Sequence, residues 1–254
     1  MALQMEDKEL EQHIIEAIQE LSDLLDKWRK STSGKDIKKA QLLSYWLKSY
    51  SRFLSRESSF NPQSIPKLTR RQIVSVDFGF RIGSELGGLH YAVVLDKQNG
   101  FKGDTVTVVP LGSKKEGFIA NSNKILLQDG IYGPLKEKTS CQIENARKTI
   151  LSLFETSDSP LPNDERLAEI RNLYKLAEEQ ISTAEASMKK METLKRGSIA
   201  NVSQIITISK MRIKEPVSPK ASLYNVKVSE RDMLQIEQAI CEKYISGSKY
   251  SNKS

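Results

Sequence analysis

Two stretches of alternating, β-branched sequence are separated by a long stretch with helical spacing, and any fold of this chain has to accommodate that interruption. The first stretch predicts strands at 73–78, 91–95, 105–111 and 124–127. After the interruption, further strands are predicted at 202–208 and 224–228. The apolar spacing in between predicts an antiparallel helical hairpin inserted at about 137–196. The sequence therefore predicts an α+β protein whose small antiparallel β-barrel or sandwich is interrupted by helices.

Helices are also predicted on both sides of the strands. Apolar residues three and four positions apart predict helices at 6–30 and 35–54, so residues 1–54 form a predicted N-terminal helical hairpin. Residues 55–66 are rich in Ser, Asn and Pro and predict a linker to a domain over 67–254. A last helix is predicted from about 230, with Ser229 as its N-cap. The apolar faces of the N-terminal hairpin can bury against each other, against the rest of the chain or against a partner, and the sequence does not decide among these.

The positive charge of the chain is concentrated in the predicted strands. There are 39 Lys and Arg residues against 32 Asp and Glu residues, for a formal net charge of +7. The excess lies in segment 67–150, with a net charge of +5, and in segment 197–228, with +4. If these segments fold together, their combined charge of +9 predicts a basic surface suited to a polyanion. The alternative is that the basic strands only keep the protein in solution.

Composition excludes several classes of protein. No stretch approaches the roughly 20 consecutive apolar residues of a membrane span, and the first residues lack the basic-then-apolar order of a secretory signal. We therefore expect a cytoplasmic protein with no membrane partner. The only cysteines are Cys141 and Cys241, and the only histidines are His13 and His90. Their number and spacing exclude a disulfide framework and a Cys/His zinc cluster, so no metal and no other cofactor is expected.

The loop between the first two predicted strands carries a glycine-rich motif, and the strands around it extend the pattern. The loop reads Gly83-Ser84-Glu85-Leu86-Gly87-Gly88-Leu89-His90-Tyr91. The flanking segments are 71–79, 92–95, 108–115 and, after the inserted helices, 204–213. Together these segments resemble the MazF/PemK family of toxins, in the same order along the chain. The resemblance covers roughly 67–128 and 199–246, and both helical hairpins lie outside it.

The resemblance implies a small SH3-like β-barrel that usually forms a homodimer. It also implies a toxin of a type II toxin–antitoxin system, which cleaves single-stranded RNA such as mRNA at selected sequences without a metal ion. In that reaction a ribose 2′-hydroxyl attacks the adjacent phosphorus and leaves a 2′,3′-cyclic phosphate and a 5′-hydroxyl. The implied partners are single-stranded RNA and a cognate antitoxin, and no cofactor is implied.

Such a reaction needs a base, an acid and a donor to the charged phosphate oxygens. In the family, an Arg after the paired glycines and a Thr after the Pro-Leu of the third strand are tied to this work, and here these positions hold His90 and Gly112. An imidazole exchanges a proton near neutral pH and stabilises phosphate when it is charged. The resemblance therefore implies His90 as the catalytic residue, assisted by Ser113 and Glu85. The residues implied for RNA binding are Arg81, Lys114, Lys115, Gln204, Ser209 and Lys210.

Two other functions remain open at this stage. Gly112 has no hydroxyl, which favours a catalytically inactive MazF-like barrel that binds RNA or protein. A toxin with the same fold that poisons a protein target such as a topoisomerase would need no acid–base residue. The implied site residues also have structural alternatives: Lys114 and Lys115 as a solvated pair, and Gln204 as a local hydrogen-bonding group.

Overall fold

The structure of the chain, a computed structural model, describes residues 5–157, 162–194 and 197–245. Residues 195 and 196, at the end of the predicted insert, and residue 246, at the end of the family-like segment, lie outside the described residues. The chain divides into two compact units, one made of Met1–Phe60 with Gly79–Gly83 and one made of Asn61–Phe78 with Ser84–Ser254. The chain begins with the helices α1 (Asp7–Arg29) and α2 (Gly34–Arg56), followed by the strands β1 (Ile73–Asp77), β2 (Leu89–Val94), β3 (Thr105–Ser113) and β4 (Lys124–Leu127). The inserted helices are α3 (Tyr132–Ser157) and α4 (Asn163–Thr193). After them come the strands β5 (Ser198–Asn201), β6 (Ile206–Ser209) and β7 (Ile213–Glu215), and the helix α5 (Glu230–Tyr244).

All seven strands belong to one antiparallel sheet, which confirms the α+β class. The strand order is β4-β5-β3-β2-β1-β7, and β6 pairs with β3 as well. On one edge of β3, residues Thr105 to Val108 pair with β6 and residues Leu111 to Ser113 pair with β5. The strands from before and after the inserted helices are therefore joined in one sheet, with β3 at its centre.

Both faces of this sheet are covered. One face contributes Ile73, Val93 and Val109 to a core that also includes residues of α5 and the start of α3. The other face contributes Val74 and Ala92 to a second core. Neighbouring residues of a strand point to opposite faces, so a strand buried on both sides is apolar at every position. This explains the continuous apolar run from Tyr91 to Leu95, which alternation alone does not predict.

The sheet is open, and the expectation of a closed β-barrel is corrected accordingly. In the residues that the structure describes, the edge strands β4 and β7 do not pair with each other. The physical reason lies in β3. With nine residues it is longer than any strand that pairs with it, and it pairs with β6 and then with β5 along the same edge. The sheet therefore continues through β5 into β4 instead of closing.

Two predicted strands after the insert also differ from the structure. Residues 202–204 form a single 3₁₀ turn between β5 and β6, so the strand predicted at 202–208 begins only at Ile206. The strand predicted at 224–228 is reduced to an isolated bridge between Lys227 and Gln72. Asn225 has a φ of 58°, and this left-handed conformation interrupts the extended run.

The inserted helices α3 and α4 form the predicted antiparallel hairpin, and their contact follows a heptad repeat. The least exposed positions alternate in steps of three and four residues, which are the a and d positions of a coiled coil. In the middle of the hairpin these positions hold small or polar side chains. They are Thr139, Gln142, Ala146 and Thr149 on α3, and Ala177, Gln180, Ala184 and Ser187 on α4. The hydroxyls of Thr149 and Ser187 donate to the side-chain oxygens of Gln180 and Gln142, at 3.0 and 3.4 Å, and these bonds set the register of the two helices.

The helices α1 and α2 form the other unit together with five residues of the loop between β1 and β2. Trp46 of α2 stacks on Tyr50 with ring centroids 5.5 Å apart. Trp28 of α1 lies against Phe80 of the loop segment, with centroids 6.3 Å apart. Gly79 has a φ of +72°, and a Cβ built on it would come within 2.6 Å of the Trp46 ring. The loop segment therefore needs a glycine here, both for its conformation and for its close approach to the indole.

We expect Gly79→Ala to destabilise the unit that contains α1 and α2 by about 2–3 kcal/mol, because the methyl group adds a steric overlap to the left-handed strain. Gly117 is the matched control, since it has the same φ of +72° but open space around its Cβ position. Gly117→Ala should cost only about 1 kcal/mol. The chain has two tryptophans, Trp28 and Trp46, so tryptophan fluorescence during urea unfolding reports on this unit. Equal effects of the two substitutions would contradict the contact between Gly79 and Trp46.

Candidate functional site

The strands β2 and β3 separate at one end and leave an opening in the sheet. Their pairing comprises Ala92 with Pro110, Val93 with Val109 and Val94 with Val108. Before Ala92, β2 continues along β1, and after Pro110, β3 continues along β5. We call the opening between residues 89–91 and residues 111–113 the mouth. It is the part of the sheet that the family-like motif borders.

His90 lies at the mouth, on the face of the sheet that carries the second core. Its position on β2 is two residues from the buried Ala92, so the two side chains share a face, and His90 itself is partly exposed. Its pairing partner on β1 is Val76. Extending the register of β2 and β3 by two residues sets Gly112 opposite His90. A Cβ built on Gly112 or on Gly88 would meet nothing within 4 Å, so both positions border open space.

Ser113 does not share this face. It directly follows Gly112 in the extended strand β3, so its side chain lies on the opposite face of the sheet, on the side of Leu111. The structure thus separates Ser113 from His90, and the predicted assistance of His90 by Ser113 is not supported by their positions. Gly112, which faces the same side as His90, has no functional group to offer.

Glu85 is held at the tip of the loop between β1 and β2 by Gln204. The backbone N–H of Leu86 donates to the Gln204 side-chain oxygen at 2.5 Å, and the Gln204 amide donates to the carbonyl of Ser84 at 2.9 Å. These two bonds fix the residues on either side of Glu85, whose own side chain is exposed. The loop is closed at its base by the Phe78 N–H, which donates to the Gly88 carbonyl at 2.8 Å. Gln204, predicted to bind RNA, is therefore a positioning residue for the loop.

Two further residues predicted to bind RNA have structural roles. The Ser209 hydroxyl accepts from the Met211 N–H and caps the 3₁₀ turn between β6 and β7. Lys210 is only 3% exposed, and its ammonium donates to the Gly100 carbonyl at 2.8 Å. Burial lowers the pKa of Lys210, against the opposing effect of two nearby aspartates. Because Lys210 is buried and its ammonium is bonded to the turn between β2 and β3, its position does not favour the predicted contact with RNA.

The other three residues predicted to bind RNA lie in two different places. Lys114 and Lys115 are exposed and follow β3 directly at the mouth. The Lys114 N–H donates to the Gly197 carbonyl at 3.0 Å, and its side-chain stem lies over Gly197, where a Cβ would come within 3.0 Å of it. Arg81 belongs to the unit of α1 and α2, because Gly79–Gly83 is part of that unit. Of the six residues predicted to bind RNA, only Lys114 and Lys115 lie exposed beside His90 on the sheet.

Some of the positive charge counted in the two basic segments is paired with acidic groups elsewhere. Arg70 and Arg71 form ion pairs with Glu237 and Glu230 of α5. Lys220 pairs with Glu179 of α4 at 3.0 Å. The charge of +9 that the sequence assigns to these segments is therefore partly neutralised by the helices that pack around them. What remains at the mouth is the charge of Lys114 and Lys115.

A second charged cluster, which the sequence analysis missed, lies where the inserted hairpin meets the sheet. Lys190 of α4 forms an ion pair with Glu215 of β7, and its ammonium lies 5.8 Å from the ring centroid of Tyr91. Lys138 of α3 donates to the carbonyls of Ala221, Ser222 and Tyr224 at 3.2, 2.9 and 2.8 Å. Every donor of the Lys138 ammonium is thus satisfied, and the cluster anchors the base of the hairpin.

Burial controls the protonation of this cluster. It lowers the pKa of Lys138 to about 8. Burial, together with repulsion from Lys138, lowers the pKa of Lys190 to about 8. Burial raises the pKa of Tyr91 above its usual value. The sequence carries no local signal for this site, because the partners of Lys138 and Lys190 lie far from them along the chain.

Three further findings concern metal ions, membrane spans and known proteins. In the described residues, no group of three or more His, Cys, Asp or Glu side chains is arranged to hold a metal ion. None of the helices in those residues is long and apolar enough to cross a membrane. No protein-family model and no curated protein matches this chain. The resemblance to the MazF/PemK family therefore depends on the segments quoted above.

We expect Gln204→Leu to loosen the loop that carries Glu85, because both hydrogen bonds to Ser84 and Leu86 are lost. Each such bond contributes about 1 kcal/mol, so hydrogen exchange of the Leu86 amide should accelerate about tenfold. Gln98→Leu is the matched control, since Gln98 lies exposed in the turn after β2. Unchanged exchange at Leu86 in Gln204→Leu would contradict the clamp.

We expect the free energy of unfolding to rise with pH between about pH 8 and 10, because the folded-state pKa values of Lys138 and Lys190 lie near 8, below the usual 10.5. In that window the unfolded chain binds more protons than the folded chain, so deprotonation favours folding. The raised pKa of Tyr91 acts in the opposite direction above pH 10.

Lys138→Met should reduce this rise by roughly half, and Lys148→Met, at an exposed position of the same helix, should leave it unchanged. Urea unfolding at a series of pH values measures both. A rise of the same size in Lys138→Met would show that Lys138 does not have a lowered pKa.

Proposed function

We propose that this chain is a metal-independent endoribonuclease of the MazF/PemK type, acting as the toxin of a type II toxin–antitoxin system. Its substrate would be single-stranded RNA such as mRNA, cleaved at selected sequences in the cytoplasm. The single observation that carries the proposal is the mouth between β2 and β3, where a partly exposed His90 lies beyond the last residue pair of the two strands and two exposed lysines follow β3. This is the place where the family-like segments meet in space.

The proposal includes an SH3-like arrangement of the strands. Five of them run in the order β7-β1-β2-β3-β6, and the two outer strands of this set are joined by the three-residue turn Lys210–Arg212. So short a connection requires the sheet to curl until β6 and β7 come near each other. The interior of that curl is the second core, and His90 lies at its end.

In the proposed reaction the 2′-oxygen of a ribose forms a bond to the adjacent phosphorus, and the bond from phosphorus to the 5′-oxygen breaks. The proton of the 2′-hydroxyl passes to a base, and the departing 5′-oxygen takes a proton from an acid. His90 supplies an imidazole for one of these transfers. Glu85, fixed through Gln204, is the candidate for the other, and Lys114 and Lys115 attract the phosphates with an affinity that falls as salt rises.

A second candidate function is binding of RNA without cleavage. It is favoured by the absence of a hydroxyl at Gly112 and by the position of Ser113 on the opposite face of the sheet. The two functions predict the same salt-dependent RNA binding and differ only in the chemistry at His90. A toxin that poisons a protein such as a topoisomerase would require neither RNA binding nor His90.

The test is incubation of the purified chain with a long single-stranded RNA in EDTA, with analysis of the new ends. We expect fragments that end in 2′,3′-cyclic phosphate and 5′-hydroxyl, and at least a hundredfold loss of rate in His90→Ala, the usual cost of removing an acid–base group. His13→Ala is the matched control, because His13 is the other histidine of the chain and lies in α1. Intact RNA that still binds would favour the non-catalytic function, and intact RNA without binding would reject both.

A gain of function tests the position of Gly112. Because a Cβ at Gly112 meets open space, Gly112→Thr is expected to fold normally and to place a hydroxyl on the same face as His90. Under the proposal it raises the cleavage rate about tenfold or more, by adding a donor to the phosphate oxygens. Ser113→Ala, which removes a hydroxyl from the opposite face, should leave the rate unchanged. A loss of activity in Ser113→Ala would show that Ser113 does reach the RNA.

A further inference from the structure

In the middle of the inserted hairpin, the large apolar side chains lie beside the helix contact instead of within it. Following each d position of the heptad repeat is an e position, and on both helices these positions hold large apolar residues. They are Ile143 and Ile150 on α3, and Leu167, Tyr174, Ile181 and Met188 on α4. All six are exposed, by 37 to 58%. We call this set the e face.

The e positions of both helices lie on one flank of the hairpin. Ile143, Ile150, Ile181 and Met188 together line one groove between α3 and α4. In an isolated pair of helices the e and g positions are usually charged, whereas apolar a, d and e positions are the pattern of a helix that packs against more than one neighbour. In the middle of the hairpin the contact between α3 and α4 buries mainly small and polar residues, so the apolar side chains of the e face remain in water. The hairpin therefore presents an incomplete helical bundle.

The opposite flank of the hairpin is polar and is anchored to the sheet. Its g positions include Asn145, Ser152 and Thr183. Lys138 and Lys190 occupy the same flank near the base of the hairpin, where they bond to residues of the sheet and of the segment before α5. The side of the hairpin that is fixed to the sheet is thus the side away from the e face.

We propose that the e face binds the e face of a second copy of this chain, so that the two hairpins form an antiparallel four-helix bundle in which α3 lies across α4 of the other copy. Charge at the rims of the groove selects this occupant and its orientation. The rim on α3 carries Lys136 and Arg147, and the rim on α4 carries Glu178, Glu185 and Glu192, with Arg171 near the start of the helix. A basic rim and an acidic rim on the same molecule are complementary to a second copy turned about a two-fold axis along the helices.

The register of the hairpin sets which of these charged residues lie at the same position along the helix axes, here called their height. The bonds from Thr149 to Gln180 and from Ser187 to Gln142 set Arg147 level with Ser182. A two-fold axis parallel to the helices preserves height, so Arg147 of one copy comes within one turn of Glu185 of the other. Lys136 comes level with Thr193 in the same way, and therefore lies beside Glu192 of the other copy.

The other two-fold arrangement is disfavoured by the same charges. An axis across the helices would set α3 on α3 and α4 on α4. Lys136 and Arg147 would then face a second basic rim, and the three glutamates of α4 would face three more. Like charges opposed across an interface cost affinity. Only the arrangement with α3 across α4 pairs basic with acidic rims.

The area available is sufficient for a stable dimer. From Leu167 to Met188 the e face extends for about 30 Å along α4, at 1.5 Å per residue. Two helices with axes 8–10 Å apart present a face about 18 Å wide. Two such faces in contact bury about 1,100 Å² in total, which exceeds the roughly 1,000 Å² that a biological interface should clear and is small for a specific protein–protein interface. We therefore expect a dimer with a dissociation constant in the micromolar range.

The first experiment measures the mass of the full chain in solution by analytical ultracentrifugation at about 50 µM, where an interface of this size should be largely dimeric. Ile181→Glu should weaken the dimer at least tenfold, because it places a carboxylate in the centre of the groove. Leu176→Glu is the matched control: Leu176 is 45% exposed and Ile181 40% exposed, but Leu176 lies at a g position on the opposite flank. It should leave the dimer intact.

The second experiment tests the orientation and does not depend on the folding of any apolar variant. Arg147→Glu and Glu185→Arg each create like-charge pairs in their own homodimers and should weaken them about tenfold. In a mixture of the two variants, both ion pairs of the heterodimer have opposite charges again, so native mass spectrometry should show mainly the heterodimer. With α3 on α3, each single variant would only exchange one like-charge pair for another, so its homodimer would be no weaker than that of the unchanged chain, although mixing would favour the heterodimer there too. Weakening of the two single-variant homodimers is therefore the result that identifies α3 across α4, and homodimers of unchanged strength would contradict it.

The outcomes separate cleanly. A dimer that is weakened by Ile181→Glu, unaffected by Leu176→Glu and restored by mixing the charge variants supports the proposal. A chain that is monomeric at 50 µM overturns it, and slow hydrogen exchange throughout α3 and α4 in such a monomer would indicate that another part of the same chain covers the e face. A dimer that survives Ile181→Glu also overturns it, since the copies would then associate through another surface.

Discussion

The strand β3 joins two parts of the chain that the inserted hairpin separates, and the rest of the sheet depends on that pairing. Its residues bond to β2, from before the insert, and to β5 and β6, from after it. Closing a loop of this length costs about 4 kcal/mol of chain entropy in a flexible chain. The insert is not flexible, because antiparallel helices return the chain to the place where it left the sheet. Lys138 and Lys190 then fix the base of the hairpin with hydrogen bonds and an ion pair.

In a simple coiled coil the a and d positions both set the register and bury the apolar area, whereas in the middle of this hairpin different positions do so. Small residues such as Ala146 and Ala184 let the helices approach closely, and hydrogen bonds between Thr149 and Gln180 set their register. Such a contact specifies geometry but buries little apolar area, and apolar area is the main source of stability for helices in contact. The large residues are displaced to the flank, where only a further layer of helix can bury them. Specificity within the hairpin and association between hairpins thus reside in different heptad positions.

The sequence predicts the elements of this fold better than their contacts. The apolar stripe at 6–30 predicts α1 almost to its ends, and the alternation at 73–78 predicts β1, because both signals depend on neighbours in the sequence. The burial of Lys210 could not be predicted, since its partner is a carbonyl 110 positions away. The same holds for Arg70, whose charge is paired by α5. The separation of Ser113 from His90 could be predicted, because Ser113 follows Gly112 directly and neighbouring side chains of a strand point to opposite faces.

The loop between β1 and β2 is divided between two sets of contacts, and this division affects what its residues can do. Its first half, Gly79–Gly83, belongs to the unit of α1 and α2, where Phe80 lies against Trp28. Its second half is held by Gln204 and leads through Gly88 into His90. A side chain at the tip, such as Glu85, is therefore restrained from both directions along the backbone. His90 is held separately from the loop tip, because the pairing of β2 with β1 sets its position opposite Val76.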